Sequence, residues 1–257
     1  MPPNVLLVCT DQQRGDAVGA DPHAPDDADG GPLVHTPTLD RIAAEGTLFS
    51  RAYSTCPSCT PARRTLYTGL RPATQGCVGA GCGDVSGVED TLPRLLGAAG
   101  YRAHGVGKIA PDRAFDGLET HFNSPAREDD YDAWLERETG GAYEKTSDGL
   151  GPNSWDARPS PVEEYQHPTH WTTTRAMEFL DDHDGDQPFF LTVSYAHPHQ
   201  PWNPPQVYWD MYADEDLGDP VVGEWADRLY GDRIPETPAP ATELAALSER
   251  RVHRARA

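Results

Sequence analysis

Lysine is nearly missing from this chain: Lys108 and Lys145 are the only two in 257 residues, and arginine carries the other side-chain positive charge. Positive charge is scarce altogether, with 21 Lys and Arg against 41 Asp and Glu, a net charge of −20 at pH 7. That balance excludes a broad basic face for nucleic acid. It describes a hydrated, self-repelling surface, and the excess of Asp suggests adaptation to high salt. Long hydrophobic runs are also missing: no stretch reaches the roughly 20 apolar residues that cross a bilayer, so no membrane partner is expected. The apolar opening Val5-Leu6-Leu7-Val8-Cys9 is too short for a signal segment and has no basic lead-in. It reads as a buried strand of a cytoplasmic protein. Cysteines number five, four of them between positions 56 and 82, which does not resemble a secreted disulfide framework. There is no internal repeat and no low-complexity tract. Aromatics are plentiful, with six Trp and ten Tyr, so a chain of this length can bury a core.

Strand-like and helix-like segments alternate. Residues 5–9 read as a strand followed at once by polar Thr10-Asp11-Gln12-Gln13. Thr36-Pro37 opens a helix that Gly46 ends. Residues 47–53 read as a second strand, then a short helix runs over 61–68 with Gly69 as its stop. A further helix is expected over 91–99 and a strand over 101–107, running into Lys108. Residues 111–168 are loop-rich and acidic, with little periodicity. Thr172, Ala176, Phe179 and Leu180 share a helical face, and residues 189–195 form a strongly apolar strand ahead of His197-Pro198-His199. Residues 203–240 are rich in Pro and Asp, and 241–257 are helix-prone. The alternation predicts an α/β fold with a mainly parallel central sheet flanked by helices. Ligands of such sheets bind beyond the carboxyl ends of the strands. Asp11, Cys59, Lys108 and His199 all fall just past an expected strand or at the turn after it.

The stretch Cys56-Pro57-Ser58-Cys59-Thr60-Pro61-Ala62-Arg63-Arg64 admits three readings. A C-x-x-C at a helix start is a redox pair in some proteins, because the helix N-terminus favours a thiolate. It leaves Asp11, Lys108 and His199 without a purpose. Alternatively Cys56, Cys59, Cys77 and Cys82 make two close pairs across a short loop, a zinc pattern. The third reading takes Cys59 alone. CTPARRTLYTG, residues 59–69, opens with C-x-P-x-R and continues through Leu66, Thr68 and Gly69. It resembles the signature of the sulfatase family of the alkaline phosphatase superfamily. NVLLVCTDQQRGD (4–16), TPTLDRIAAEG (36–46), GYRAHGVGK (100–108) and FFLTVSYAHPHQPW (189–202) resemble other segments of that family, in the same order.

The resemblance implies a chemistry. Cys59 would be oxidised by a formylglycine-generating or maturase enzyme to formylglycine, whose hydrate is the nucleophile. Asp11, Gln12 and the modified Cys59 would hold one divalent cation, Ca2+ foremost, with Mg2+ or Mn2+ as substitutes. Arg63, one turn beyond Cys59, would reach back to the hydrate. Lys108 would place a point charge on a sulfate oxygen. His199 would bind the sulfate or protonate the leaving oxygen. His197, on the same loop, reads as a packed loop histidine, and Arg64 as structural. The implied activity is hydrolysis of a sulfate ester, a small anionic substrate. The same site type also serves phosphonate and phosphate esters.

Two departures set further expectations. The family usually places a histidine two positions after the lysine, where this chain has Ala110. Its remaining metal ligands usually come from a late Asp-Asn or Asp-His pair before a glycine. The only Asp-His here, Asp182-His183, precedes the His199 strand and reads as a helix end. Residues 1–257 are therefore expected to be a single sulfatase-like domain, incomplete at its C-terminus, with an unpaired sheet edge and exposed apolar surface. A truncated, non-catalytic chain is the competing expectation.

Overall fold

The computed structural model describes residues 2–26, 31, 33–79, 90–109, 119–121, 130–144, 147–151, 153–154 and 156–217. Within them lies a four-stranded, all-parallel sheet of order β1-β4-β2-β3. Its strands are β1 (Val5–Cys9), β2 (Arg102–Gly107), β3 (Glu119–His121) and β4 (Phe189–Ser194). The helices are α1 (Pro37–Glu45), α2 (Cys59–Thr68), α3 (Leu92–Ala98), α4 (Tyr131–Thr139), α5 (Pro168–Asp181) and α6 (Gln206–Tyr212). The α/β architecture read from the sequence is the one observed.

The contact pattern sorts the chain into two compact units. The first comprises Met1–Gln13, Arg51–Lys145 and Glu164–Pro198, and holds the sheet with α2 to α5. The second comprises Arg14–Ser50, Thr146–Glu163 and His199–Ala257, and holds α1 and α6.

In the first unit, β4 is central and buried along almost its whole length because alternate side chains feed two different cores. Phe190 packs with Tyr67 of α2, Ala103 and Ile109, joined by Leu7, Leu96 and Tyr101. Leu191 and Val193 point the other way, onto Val106 and the α5 residues Ala176 and Phe179. A strand covered on both faces reads as a continuous apolar run, which is why this one was visible in sequence. α2 stops where expected: Gly69 takes a left-handed φ of 68° and its N–H bonds the Thr65 carbonyl.

In the second unit, α1 begins with Pro at its first position, as Thr36-Pro37 predicts. Thr36 Oγ1 accepts the Gly19 N–H, and Asp40 Oδ1 accepts the Ala20 N–H and the Thr36 hydroxyl. Asn203 donates to the buried Asp148 at 2.7 Å, and Arg158 donates to the Asp148 carbonyl. With the Ala157–Trp202 bridge, these bonds hold Asp148 and Ala157 beside the chain that follows His199.

One reading needs correction. Residues 47–53 form no strand; they are exposed throughout, and a strand needs a neighbour for its backbone groups. Within the loop-rich stretch 111–168 lie two elements that the sequence did not single out, β3 and α4. α4 buries only Tyr131 and Leu135, four residues apart, too narrow a face to stand out among acidic residues. α6 similarly interrupts the Pro- and Asp-rich tract after 203. Ala110, Cys82, Lys145 and the helix expected over 241–257 lie outside the described residues.

Candidate active site

Three strand ends meet in register. Val5–Cys9 pairs with β4 so that Cys9 faces Ser194, and β2 pairs with β4 so that Gly107 also faces Ser194. Asp11 comes two residues after β1 and Lys108 immediately after β2, so both side chains start from the carboxyl edge of the sheet. The turn after β1 is anchored by the Asp11 N–H, which donates to the His197 carbonyl at 3.3 Å. Gln12 then takes a left-handed φ of 63°, uncommon for a residue with a Cβ, and is exposed.

Close approach at this edge depends on Gly107. Its φ is 93°, and a Cβ there would sit 2.1 Å from the Ser194 carbonyl oxygen. The absent side chain lets the Lys108 N–H donate to that carbonyl at 2.7 Å. Lys108 is therefore fixed by its backbone before its side chain does anything.

Arg63 arrives from α2, one turn after Cys59, and is buried. Its Nη1 donates to the Lys108 carbonyl at 2.7 Å and to Ser194 Oγ. Ser194 Oγ in turn donates to the same Lys108 carbonyl at 2.8 Å. Arg63 Nη2 lies 3.5 Å from Asp11 Oδ2, and the Lys108 ammonium contacts that same oxygen. Neither contact has hydrogen-bond geometry, so Asp11 Oδ2 is a buried carboxylate oxygen held by charge alone. The cluster carries two positive charges and one negative in a largely buried place, a setting that favours a further anion.

Asp11, Arg63 and Lys108 thus come together, with Gln12 adjacent and Cys59 at the head of the helix that carries Arg63. The strand expected over 47–53, ahead of Cys59, does not form; Ser58 is the N-cap residue of α2. Arg63 Nη1 ties Lys108 to Ser194. Ser194 is the member that sequence reasoning missed. It reads there as one more residue of an apolar strand, and only its place at the strand's carboxyl end hints at more. His199 belongs to the second unit, where its Nδ1 donates to the Gln200 carbonyl at 2.8 Å, which leaves Nε2 for other work. His197 stays in the first unit and packs its ring 4.8 Å from that of His167. Arg64 is buried with Nε donating to Gln75, the structural role expected of it.

The other cysteines are also placed. Cys9, Cys56 and Cys59 are free thiols, so the C-x-x-C is not closed. Cys77 is buried and disulfide-bonded, and therefore cannot serve as a zinc thiolate. The four-cysteine zinc reading falls with it. Burial raises the Cys9 thiol pKa; Arg63 opposes the shift and Asp11 adds to it, which places Cys9 within the field of the same cluster.

A divalent cation can be tested against these donors. The buried, unbonded Asp11 Oδ2 suits a hard cation as one ligand. Among the described residues, no group of three or more His, Cys, Asp or Glu stands ready to hold one.

The sulfatase family model matches residues 3–239. An arylsulfatase of Clostridium perfringens is 35% identical over 247 residues, which cover 89% of this chain and 50% of that protein. The uncharacterized sulfatase YidJ of Escherichia coli is 32% identical, with 90% and 46% covered. Among solved structures, a phosphonate monoester hydrolase of Agrobacterium radiobacter superposes with a TM-score of 0.64 at 24% identity, covering 89% of this chain and 48% of that one. The chain spans about half the length of the relatives it matches. With the family model matched along nearly all of it, this chain belongs to the sulfatase family.

Proposed function

We propose that the protein hydrolyses a sulfate ester, using a formylglycine made from Cys59 and a divalent cation beside Asp11. The observation that best supports this reading is the convergence of Asp11, Arg63 and Lys108 at one sheet edge, with Cys59 a turn away from Arg63 on α2. A sulfate ester is anionic and repels nucleophiles, so its oxygens must meet positive charge. Lys108 supplies that charge from a backbone held by Ser194 and Arg63. His199, with Nδ1 committed to Gln200, offers Nε2 for proton transfer to the leaving oxygen. Arg63 acts as a positioning residue for Lys108.

Asp11, Gln12 and the oxygen borne by a modified Cys59 would hold the cation, Ca2+ in this reading. When bound it supplies Lewis acidity and lowers the pKa of the nucleophile. A hard cation takes about six or more oxygens. The further donors belong to the half of the family's length that this chain does not span. Maturation calls for a formylglycine-generating or maturase partner.

The test has two arms. Mass spectrometry of the peptide carrying Cys59, after co-expression with such a partner, should show sulfur exchanged for a carbonyl oxygen. Turnover of an aryl sulfate by a full-length form should depend on that exchange. An unmodified Cys59 together with no turnover would refute the reading. Phosphonate ester hydrolysis is a second reading, favoured by the structural likeness to a phosphonate monoester hydrolase. Rates on matched sulfate and phosphonate esters separate the two.

A further inference from the structure

His199 heads the segment His199-Gln200-Pro201-Trp202-Asn203-Pro204-Pro205, with three prolines in seven residues. Proline has no N–H to donate, so the segment cannot hold itself in a ladder or a helical turn. Its position has to come from outside. Within the second unit, residues between 148 and 160 supply three contacts. The Arg158 N–H donates to the Trp202 carbonyl at 3.1 Å, and the Ser160 N–H to the Pro204 carbonyl at 2.8 Å. Between these two rungs lies Asn203, 9% exposed, whose Nδ2 donates to Asp148 Oδ2 at 2.7 Å. Asp148 is equally buried, and its Oδ1 accepts the Leu150 N–H at 2.9 Å across Gly149, which takes a left-handed φ of 71°. Both carboxylate oxygens are therefore committed to donors from the backbone and from the His199 segment.

We propose that Asp148 and Asn203 are positioning residues for His199. His199 lies four residues before Asn203, and its Nδ1 donates to the Gln200 carbonyl at 2.8 Å. The tautomer of the ring and the heading of its Nε2 therefore follow the backbone at residue 200. The clasp and the two rungs hold that backbone from its C-terminal side. The clasp also has a direction: a carboxylate only accepts, and the amide of Asn203 donates to it. This inference deepens the proposed hydrolysis. Its rate arm rests on that reading and its spectroscopic arm does not, so the two fail separately.

The experiment compares Asp148→Asn, Asn203→Asp and the double swap of both. Asp148→Asn sets one amide group against a second donor, and Asn203→Asp sets two carboxylates against each other. The double swap restores every bond, because an amide at 148 can accept from Leu150 and donate to a carboxylate at 203. Nitrogen NMR of the 257-residue protein reads the histidine tautomers at about pH 8, where an unperturbed imidazole is neutral. The parent should hold His199 in the Nδ1–H form, unlike the exposed His23. Each single variant should bring His199 to the tautomer ratio of His23, and the double swap should return it to that of the parent. Turnover by the full-length form is read on phenyl sulfate, whose leaving oxygen needs a proton, and on nitrophenyl sulfate, whose leaving group departs readily as an anion. Each single variant should lose about 100-fold in kcat on phenyl sulfate and less than about tenfold on the nitrophenyl ester, with KM unchanged. A merely loosened protein would lose rate on both alike. Where a single variant unfolds, Asn203→Ala, which sets no like groups together, takes its place. The proposal is overturned if His199 keeps the parent's tautomer in the folded variants, if the double swap does not restore it, or if the two esters lose rate equally. If the parent turns over neither ester, the tautomer decides alone.

Discussion

Gly107→Ala isolates the contact on which the sheet's working edge depends. The new Cβ would lie 2.1 Å from the Ser194 carbonyl oxygen and 3.0 Å from Thr172 Cγ2. The carbonyl must retreat by about 0.9 Å to reach even a 3.0 Å contact, and it belongs to the central strand. The same carbonyl accepts the Lys108 N–H at 2.7 Å, so retreat weakens that bond. Three terms then add. A left-handed φ with a side chain costs about 1–2 kcal/mol, over-packing about 1–3 kcal/mol, and the weakened hydrogen bond about 1 kcal/mol. The expected loss is about 3–6 kcal/mol against a total stability of about 5–15 kcal/mol. Two other glycines of the same unit separate the terms. Gly69 has a φ of 68° with nothing within 4 Å, so Gly69→Ala should cost only the left-handed term, about 1 kcal/mol. Gly97 lies inside α3 with nothing within 4 Å and no positive φ, so Gly97→Ala should gain about 0.5–1 kcal/mol. Urea denaturation followed by tryptophan fluorescence, at one fixed salt concentration, measures all three. If Gly107→Ala falls within about 1 kcal/mol of Gly69→Ala, the close approach of β2 and β4 is not what this glycine serves, and the reasoning fails.

Arg63→Met removes the donor to Lys108 and Ser194 and leaves Asp11 with one cation; a loss of about 2–4 kcal/mol in the same denaturation assay is expected. Arg63→Lys should recover little of it, since an ammonium cannot reproduce the guanidinium fork. Tyr131 donates to the Gln166 carbonyl at 2.9 Å, so Tyr131→Phe should cost about 1 kcal/mol. Burial first, and the Asp132 carboxylate second, raise this hydroxyl above its ordinary value of 10.0. The unfolded chain then sheds the proton first, so the contribution is complete below pH 10.0 and is lost as pH rises above it. The alkaline limb should be shallower in Tyr131→Phe than in the parent. The Cys9 thiol is raised from 9.0, chiefly by burial, so alkylation of Cys9 read by peptide mapping should be slow at about pH 8 and accelerate only above pH 9.0. Fast labelling of Cys9 at about pH 8 would contradict its placement.

Much of this was legible in the sequence where a local rule and a burial pattern agreed. Thr36-Pro37 starts α1, Gly69 ends α2, and the apolar run at 189–194 is β4 because it is covered on both sides. The candidate site stood out through residue types with few other uses, above all Lys108, one of only two lysines, placed after a strand. Residues 47–53 failed because Leu48, Phe49 and Tyr53 look like strand residues, yet strand formation is a property of a pair and no partner is present among the described residues. Ser194 failed for a different reason. Its function comes from register: it faces Gly107 on one side and Cys9 on the other, and register is fixed only when three strands from distant parts of the chain assemble.

That register explains why an arginine and a lysine, though alike in charge, divide the work at this edge. The Lys108 backbone is held three ways: its N–H by the Ser194 carbonyl, and its own carbonyl by Ser194 Oγ and Arg63. Arg63 is suited to such bracing, because its planar fork reaches several acceptors at once while staying buried. Lys108 keeps a flexible stem and a compact ammonium, and that ammonium rests on Asp11 by charge alone, without hydrogen-bond geometry. In the proposed reading, Lys108 would offer that ammonium to a sulfate oxygen while the sheet edge beneath it stays still. A lysine at position 63 would give up the bracing.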